Sequence, residues 1–541
     1  MAPWYERCVQ LVRSIESGQR LADAILTPGE MRSLGMTAIN DDNPPTALLL
    51  LCGAPGDCDT AGLVRRLVAA GADVNVAQTY SETGDDLTPL RVAVVRRDKP
   101  DIVEILLRAG ADTRTVDAKG STPLHTAVDS KRVECIQLLM EAGADANAFN
   151  DNGYTPLSRA VSSGFAAGVS ILLQGGGNAN QQIALQDTSG RRNVVTLITI
   201  AAVKGYYEIT KALAMAGARL DVVTTNGASP LIGAAQGEGG ADVVDYLLGA
   251  GAAVDATDEH GRTALHFAVQ RSCLPAVVAL LQGGADPNVA TKTGIPQGGR
   301  APLSLAARAA DLEMCEALVD AGADVDNACD VGETAFMMAV SSADVALVRY
   351  FVEVAGADIH AANTRTGSPF HLMVNRPPRG EGVEGASMEV AYLRTLQYLL
   401  GLGVYDVSAP DPKGWSPLHN AVSEDRLVFV ALLLEHGADV GAKKVHTGGA
   451  IVTPIMCAKS EGVEKLLRKK LRVDRCGYSL CDGGVAEGGK LQGCSLCNRV
   501  FYCSKACQRA HWREHKKECG VSWGRGQDRS RVIKLPSSKQ G

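Results

Sequence analysis

The chain has 541 residues, of which 46% are hydrophobic, 21% charged and only 4% aromatic, with a mean hydropathy close to zero. That balance excludes a mainly disordered polymer, and the longest apolar stretches, Thr46 to Leu51 and Val194 to Val203, fall short of the ~18–20 residues a membrane-spanning helix needs. The net charge of −6 hides a division: from Arg472 onward 14 Lys or Arg face 6 Asp or Glu, so residues 1–471 carry −14, a sign that argues against an extended phosphate-binding face on that part.

At the N-terminus, Met1 to Arg20 mixes Glu6, Arg7, Arg13 and Glu16 with single apolar residues, without the unbroken apolar core of a secretory signal. The expectation is an intracellular protein, cytoplasmic or nuclear, with residues 1–40 forming a helical cap over Trp4 to Ile25. Fifteen cysteines fit that compartment: seven cluster between Cys476 and Cys519, and eight scatter over the rest without pairing pattern, reading as metal ligation and ordinary buried side chains respectively.

A repeat organises residues 41–470. A Gly-Ala-Asp triplet or close variant stands at Gly71, Gly110, Gly143, Gly176, Gly217, Gly251, Gly284, Gly322, Gly356, Gly403 and Gly437. The base step is 33 or 34 residues, with longer steps of 39, 41, 38 and 47. Some 20 residues before most triplets lies a second signature, as in Thr88-Pro89-Leu90, Thr122-Pro123-Leu124-His125, Thr155-Pro156-Leu157, Ser229-Pro230-Leu231, Thr263-Ala264-Leu265-His266, Ser368-Pro369-Phe370-His371 and Ser416-Pro417-Leu418-His419. The hydroxyl can cap orphan amides, Pro tolerates the first turn, and Leu begins an apolar stripe. A second helix is predicted from runs such as Val103-Glu104-Ile105-Leu106-Leu107, closed by a glycine free to turn left-handed.

Period and signature together resemble ankyrin repeats. The resemblance implies an all-α solenoid of about 11–12 repeats, each leaning on its neighbours, with protein-binding surfaces and no enclosed reaction chamber. The imidazoles of His125, His266, His371 and His419 then serve hydrogen bonds between adjacent turns and are not metal ligands or general bases. The insertions at Arg376 to Gly382 and Lys292 to Arg300 are expected to be mobile loops, Arg191 to Leu220 departs with Thr196-Leu197-Ile198-Thr199, and Thr453-Pro454-Ile455 opens a truncated last repeat.

From Cys476 the chain reads Cys-x4-Cys-x12-Cys-x2-Cys-x5-Cys-x3-Cys-x7-His-x3-Cys. The ligand candidates are Cys476, Cys481, Cys494, Cys497, Cys503, Cys507, His515 and Cys519, enough for two closed tetrahedral structural zinc ions with no position left for a catalytic water. His511 is the alternative to His515, which alone has the x3-Cys spacing. The arrangement over 472–519 resembles the MYND finger, including Phe501-Tyr502-Cys503 and Cys507-Gln508-Arg509-Ala510-His511-Trp512. That resemblance implies interleaved sets, Cys476, Cys481, Cys503 and Cys507 on one zinc and Cys494, Cys497, His515 and Cys519 on the other. It also implies a groove for a short proline-containing peptide at Ser495, Gln508 and Trp512. The first gap, four residues wide, is broader than the two often seen in the family.

Residues 520–541 carry five Lys or Arg among Gly, Ser and Gln and read as a basic disordered tail. A phosphate-binding glycine loop, an HExxH helix and a GxSxG elbow are all missing from the sequence, the repeats leave no room for a SET domain, and a RING finger would need Cys-x-His mid-pattern. The reading is a non-catalytic scaffold whose partners are proteins, with no small-molecule substrate and no membrane. The alternative is a zinc-finger regulator contacting nucleic acid through the basic finger and tail.

Overall fold

The computed structural model describes residues 47–53, 60–79, 86–95, 100–186, 192–238, 240–294, 298–375, 383–445 and 451–474, with 492–493 and 501–502 in the finger segment. The expected N-terminal cap (1–40), the loop 376–382 and the tail lie outside the described residues. The chain divides into two compact units, Met1–Asp330 and Val331–Gly541.

Each unit is built from pairs of short helices that follow the signature. In the first unit, Thr122 precedes helix Pro123–Asp129, a tight turn follows, and Val133–Glu141 runs back. The same pairing recurs at Pro156–Ser162 with Ala166–Gln174, at Leu197–Val203 with Tyr207–Met215, and on to Pro302–Ala309 with Leu312–Asp320. The second unit starts with Ala335–Ser342 and Val345–Glu353. It closes on a single 3-10 turn, Pro454–Cys457, and the helix Glu461–Asp474, the truncated last repeat that Thr453-Pro454-Ile455 announces.

Cap chemistry explains where the first helices begin. Thr155 receives the Ser158 amide at 3.2 Å and offers its own amide to Ser158 Oγ at 2.8 Å, a reciprocal bond pair that satisfies two orphan donors. Thr196 caps its helix without a proline, its hydroxyl accepting the Thr199 amide at 3.4 Å and lying 2.8 Å from the Thr199 hydroxyl. The signature position is therefore a capping position first, and Thr-Leu-Ile-Thr fulfils it.

Between the helices the interior is thin and aliphatic. Leu124, Ala127 and Val128 meet Ile136 and Leu139, all essentially sealed from water. Among the described residues the four largest fully buried side chains, Phe336, Phe351, Phe370 and Phe429, all belong to the second unit. Large rings there fill space that Leu, Val and Ala fill in the first, and each contributes more apolar area per residue.

The longer repeat steps hold three kinds of insertion: hairpins, a loop and a lengthened helix. The 41-residue step holds an antiparallel hairpin, Gln182–Gln186 with Arg192–Thr196, in register from Gln182 opposite Thr196 to Gln186 opposite Arg192. Short two-residue ladders occupy the same turn at Gln78–Thr79 with Asp86–Leu87 and at Lys444–Val445 with Ile451–Val452. These hairpins are additions to an otherwise helical fold that the all-α reading did not contain. On either side of residues 295–297, which lie outside the described residues, the segment Lys292 to Arg300 is hydrogen-bonded: Thr291 donates to the Arg300 carbonyl at 3.1 Å, and Gly294 donates to Asp330 Oδ2 at 2.9 Å. The 47-residue step instead lengthens a second helix to Val383–Gly401, 19 residues against the nine of its neighbours in sequence, Val345–Glu353 and Leu427–Glu435.

One close approach depends on glycine. A Cβ at Gly237 would sit 2.0 Å from the Val203 carbonyl oxygen, and one at Gly233 would meet Val203 Cγ2 at 3.1 Å. These two glycines, four residues apart, let helix Pro230–Gln236 press against Leu197–Val203, and the Glu238 amide donates to the Val203 carbonyl at 2.7 Å. Gly237→Ala is expected to destabilise the first unit by about 1–3 kcal/mol, read as a lower urea midpoint; an unchanged midpoint would show that the backbone can move apart without cost.

Candidate interaction surfaces and the finger

All eight ligand candidates, and Ser495, Gln508 and Trp512, lie outside the described residues. The described part of the finger is the ladder Gln492–Gly493 with Phe501–Tyr502, antiparallel, Gln492 opposite Tyr502 and Gly493 opposite Phe501. In sequence these strands immediately precede Cys494 and Cys503. The donor set itself, seven thiols and one imidazole, is soft to borderline and suits Zn2+ better than the hard cations that prefer oxygen.

The histidines of the repeat signature are placed in detail. His125 Nδ1 lies 2.9 Å from Thr122 Oγ1 and accepts the Thr122 amide at 3.2 Å, while Nε2 donates to the Tyr154 carbonyl of the next repeat at 3.0 Å. His266 does the same between Thr263 and the Arg300 carbonyl, and His419 between Ser416 and the Val452 carbonyl. His371 joins Ser368 to the Ala409 carbonyl at 2.9 Å. A carbonyl can only accept, so Nε2 carries the proton and Nδ1 is left as the acceptor. Burial lowers the pKa of all four, with the carbonyl bond opposing, and His266 falls to about 4. Neutral, doubly bonded rings cannot serve as bases without breaking the joint between repeats.

A second set of joints had not been singled out in the sequence. Four residues after the repeat glycine, Asn75, Asn147, Asn180 and Asn288 each donate from Nδ2 to the glycine carbonyl of the following repeat, Gly110, Gly176, Gly217 and Gly322, at 3.0–3.2 Å. Their Oδ1 atoms accept the amides of Asp112, Asn178, Arg219 and Asp324 at 2.7–2.8 Å. The primary amide is suited because it donates and accepts at once. Asp255 can only accept, and takes the Asp286 amide alone. Asn147→Ala removes two exposed bonds and is expected to cost about 1–2 kcal/mol; a urea midpoint matching wild type would show water replaces them fully.

Clefts open around the turns and first helices. A polar cleft of about 380 Å³ is lined by Arg91, Asp117, Thr126, Asp129, Asn150 and Arg159 among others. Within it Arg91 meets Asp117 at 3.1 Å and Arg159 meets Asp129 at 2.8 Å. At the adjoining turns Val116 and Phe149 are 50% and 64% exposed. Alternating charge beside apolar tips suits a polypeptide more than a compact metabolite. In the second unit a cavity of about 410 Å³ includes His360, Asn363, His371, Tyr405, Pro410 and Pro412. Tyr405 stacks on Phe370 at 5.6 Å and donates to the Ile359 carbonyl at 2.9 Å, and His371 has both nitrogens engaged.

Comparison with known proteins fits this geometry. A family profile for ankyrin repeats, three copies long, matches residues 58–150, 92–183, 198–291 and 277–363, together more than half of the chain. The chain belongs to the ankyrin-repeat family. A single ankyrin repeat is matched again at 413–445 and a MYND finger at 474–519, so the repeats end in a zinc-binding module. Among relatives of this ankyrin-repeat chain, the B-cell lymphoma 3 protein homolog of Mus musculus is 32% identical over 229 residues, 42% of this chain and 39% of that protein. The N-lysine methyltransferase SMYD2 of Gallus gallus is 40% identical over 50 residues, 9% of this chain and 12% of that one. The solved ankyrin repeat domain of Bcl-3 is 28% identical, covering 43% of this chain and 99% of the domain, with a TM-score of 0.36. The chain thus spans well under half the length of the curated relatives it matches, 12% to 39% for the first three.

Proposed function

We propose that this ankyrin-repeat chain is a non-catalytic intracellular adaptor in which the repeats over residues 41–470 hold one protein and the finger over 472–519 holds another. What carries the reading is that two kinds of protein-interaction module occupy one chain. Joining them raises the effective concentration of the second binding event without any new contact. The match to a methyltransferase spans 9% of this chain, too little to bring a catalytic domain with it. No described helix is long and apolar enough to cross a membrane.

In the finger, Cys476, Cys481, Cys503 and Cys507 hold one Zn2+ and Cys494, Cys497, His515 and Cys519 a second. The metal supplies a rigid frame, and the chain's own side chains supply recognition. Gln508 and Trp512 are four residues apart, the spacing that shares a helix face, and with Ser495 they offer an amide beside an indole to a short proline-containing segment. Affinity capture with wild type and with a Gln508→Ala, Trp512→Ala double variant tests this. Partners lost from the variant while its zinc content stays unchanged support the groove; identical partner sets reject it.

A further inference from the structure

We propose a second binding site on the outer helices of the first unit, a cleft between Tyr207–Met215 and Gly240–Gly249 that receives an arginine or lysine side chain of a partner polypeptide. It uses no residue of the finger, and it holds whether or not the finger groove takes peptide.

The site begins in the packing. Gly233 and Gly237 bring the first helices of these two repeats into near backbone contact, with the Val203 carbonyl bonded by the Glu238 amide. The second helices do not close in step. A cavity of about 550 Å³ opens there, lined by Tyr207 from one helix and by Asp242, Asp245, Tyr246, Gly249 and Ala250 from the other. Those five positions fall at i, i+3, i+4, i+7 and i+8, one face of a helix. At the turn side the Asn joint is missing as well: Asp221 stands four residues after Gly217 and is turned onto Arg219 of its own repeat, at 2.9 Å. Arg114 occupies that rung in an earlier repeat, so the missing rung alone does not make a cleft. The pinched first helices and the missing rung together leave this junction wedge-shaped.

The chemistry of the wedge selects a cation. Tyr207 and Tyr246 meet edge to face with centroids 5.7 Å apart and rings inclined at 76°, so two differently oriented rings border the opening. Both tyrosines are half-buried, and Asp242 and Asp245 are exposed with no ion pair among the described residues. The contrast with another repeat is direct. In Pro100–Arg108 the carboxylate equivalent to Asp245 is Glu104, paired with Arg108 at 2.6 Å; in the wedge the residue equivalent to Arg108 is Gly249. Deleting that side chain leaves the carboxylate unbalanced and opens the floor of the cleft. A guanidinium or ammonium group entering there gains two carboxylates and a ring face, the pairing that cations make with tyrosine within about 6 Å.

Helix Leu312–Asp320 supplies the control, because Glu313 and Glu316 stand at the positions equivalent to Asp242 and Asp245, with alanine, Ala317, in place of Tyr246. Fluorescence anisotropy on the full chain, with a labelled Gly-Ser-Arg-Lys-Arg-Ser-Gly peptide at 50 and 150 mM salt, reads the site. Saturable binding is expected, weakened about tenfold or more by Asp242→Asn with Asp245→Asn, severalfold by Tyr207→Leu or Tyr246→Leu, and less than twofold by Glu313→Gln with Glu316→Gln. Equal losses from the two carboxylate pairs would mean diffuse attraction to an acidic surface and would overturn the site. So would tyrosine variants that keep wild-type affinity and an unchanged thermal midpoint, or wild type that fails to bind.

Discussion

Stripping zinc from the full chain with a strong chelator is expected to unfold the finger and leave the repeats standing. A 44-residue segment from Cys476 to Cys519 buries too little apolar surface to fold alone, whereas structural zinc contributes ~10–16 kcal/mol per site in finger peptides at neutral pH. The helices of the two units are built from side-chain packing and interrepeat hydrogen bonds, with no group of three or more His, Cys, Asp or Glu placed to hold a metal among the described residues. Two signals separate these outcomes. Elemental analysis should give two zinc ions per chain before chelation, and proton NMR should lose the dispersed resonances of the finger. Far-ultraviolet dichroism should change little, because the repeats supply most of the helix. A chelated chain with an unaltered finger spectrum, or one zinc per chain, would refute the two-site assignment.

Acidification is expected to loosen the repeats well before their carboxylates titrate. The imidazole of His266 is held neutral by burial, with the bond to the Arg300 carbonyl and the charge of Asp258 opposing, and its pKa falls to about 4 from the ordinary 6.5. Above pH 6.5 the ring is neutral in both folded and unfolded chains, so its full contribution is present. Between pH 6.5 and about 4 the unfolded chain takes up a proton that the folded chain refuses, and stability is lost through that window, by about 3 kcal/mol at its end. His125, His371 and His419 shift in the same direction. Urea titrations from pH 7 to 4.5 should show falling midpoints, with a shallower pH slope in His266→Gln. The slope is the diagnostic, because the substitution lowers the midpoint at every pH. A wild-type midpoint that stays level between pH 7 and 5 would mean that the ring is not held in its neutral form.

Much of this was readable in the residues, for reasons that differ by position. Thr122, Thr155 and Ser416 announce helix starts because a hydroxyl followed by proline has few other stable places in a chain. The histidines were legible as joints, but their acceptors were not: Tyr154, Arg300 and Val452 contribute only a carbonyl, and every residue has one. The Asn75, Asn147, Asn180 and Asn288 joints were in plain view four residues past each glycine, yet a polar side chain at a turn ordinarily faces water. The hairpin at Gln182–Gln186 and Arg192–Thr196 carries no strong alternation of apolar and polar residues, so only the 41-residue step hinted at it. The wedge at Tyr207 and Tyr246 could not be read at all, since it arises from what Gly233, Gly237 and Gly249 lack.

The two sets of joints share a direction. Every signature imidazole and every rung asparagine reaches toward the carboxyl end, from one repeat to main-chain groups of the next. Trimming the chain from its amino end therefore removes side chains and frees carbonyls that water readily hydrates. Trimming from the other end removes the carbonyl acceptors and leaves imidazole and amide N–H donors on the new terminal face. Fragments of equal length are therefore not equivalent: one that begins late exposes main-chain acceptors, and one that stops early exposes side-chain donors.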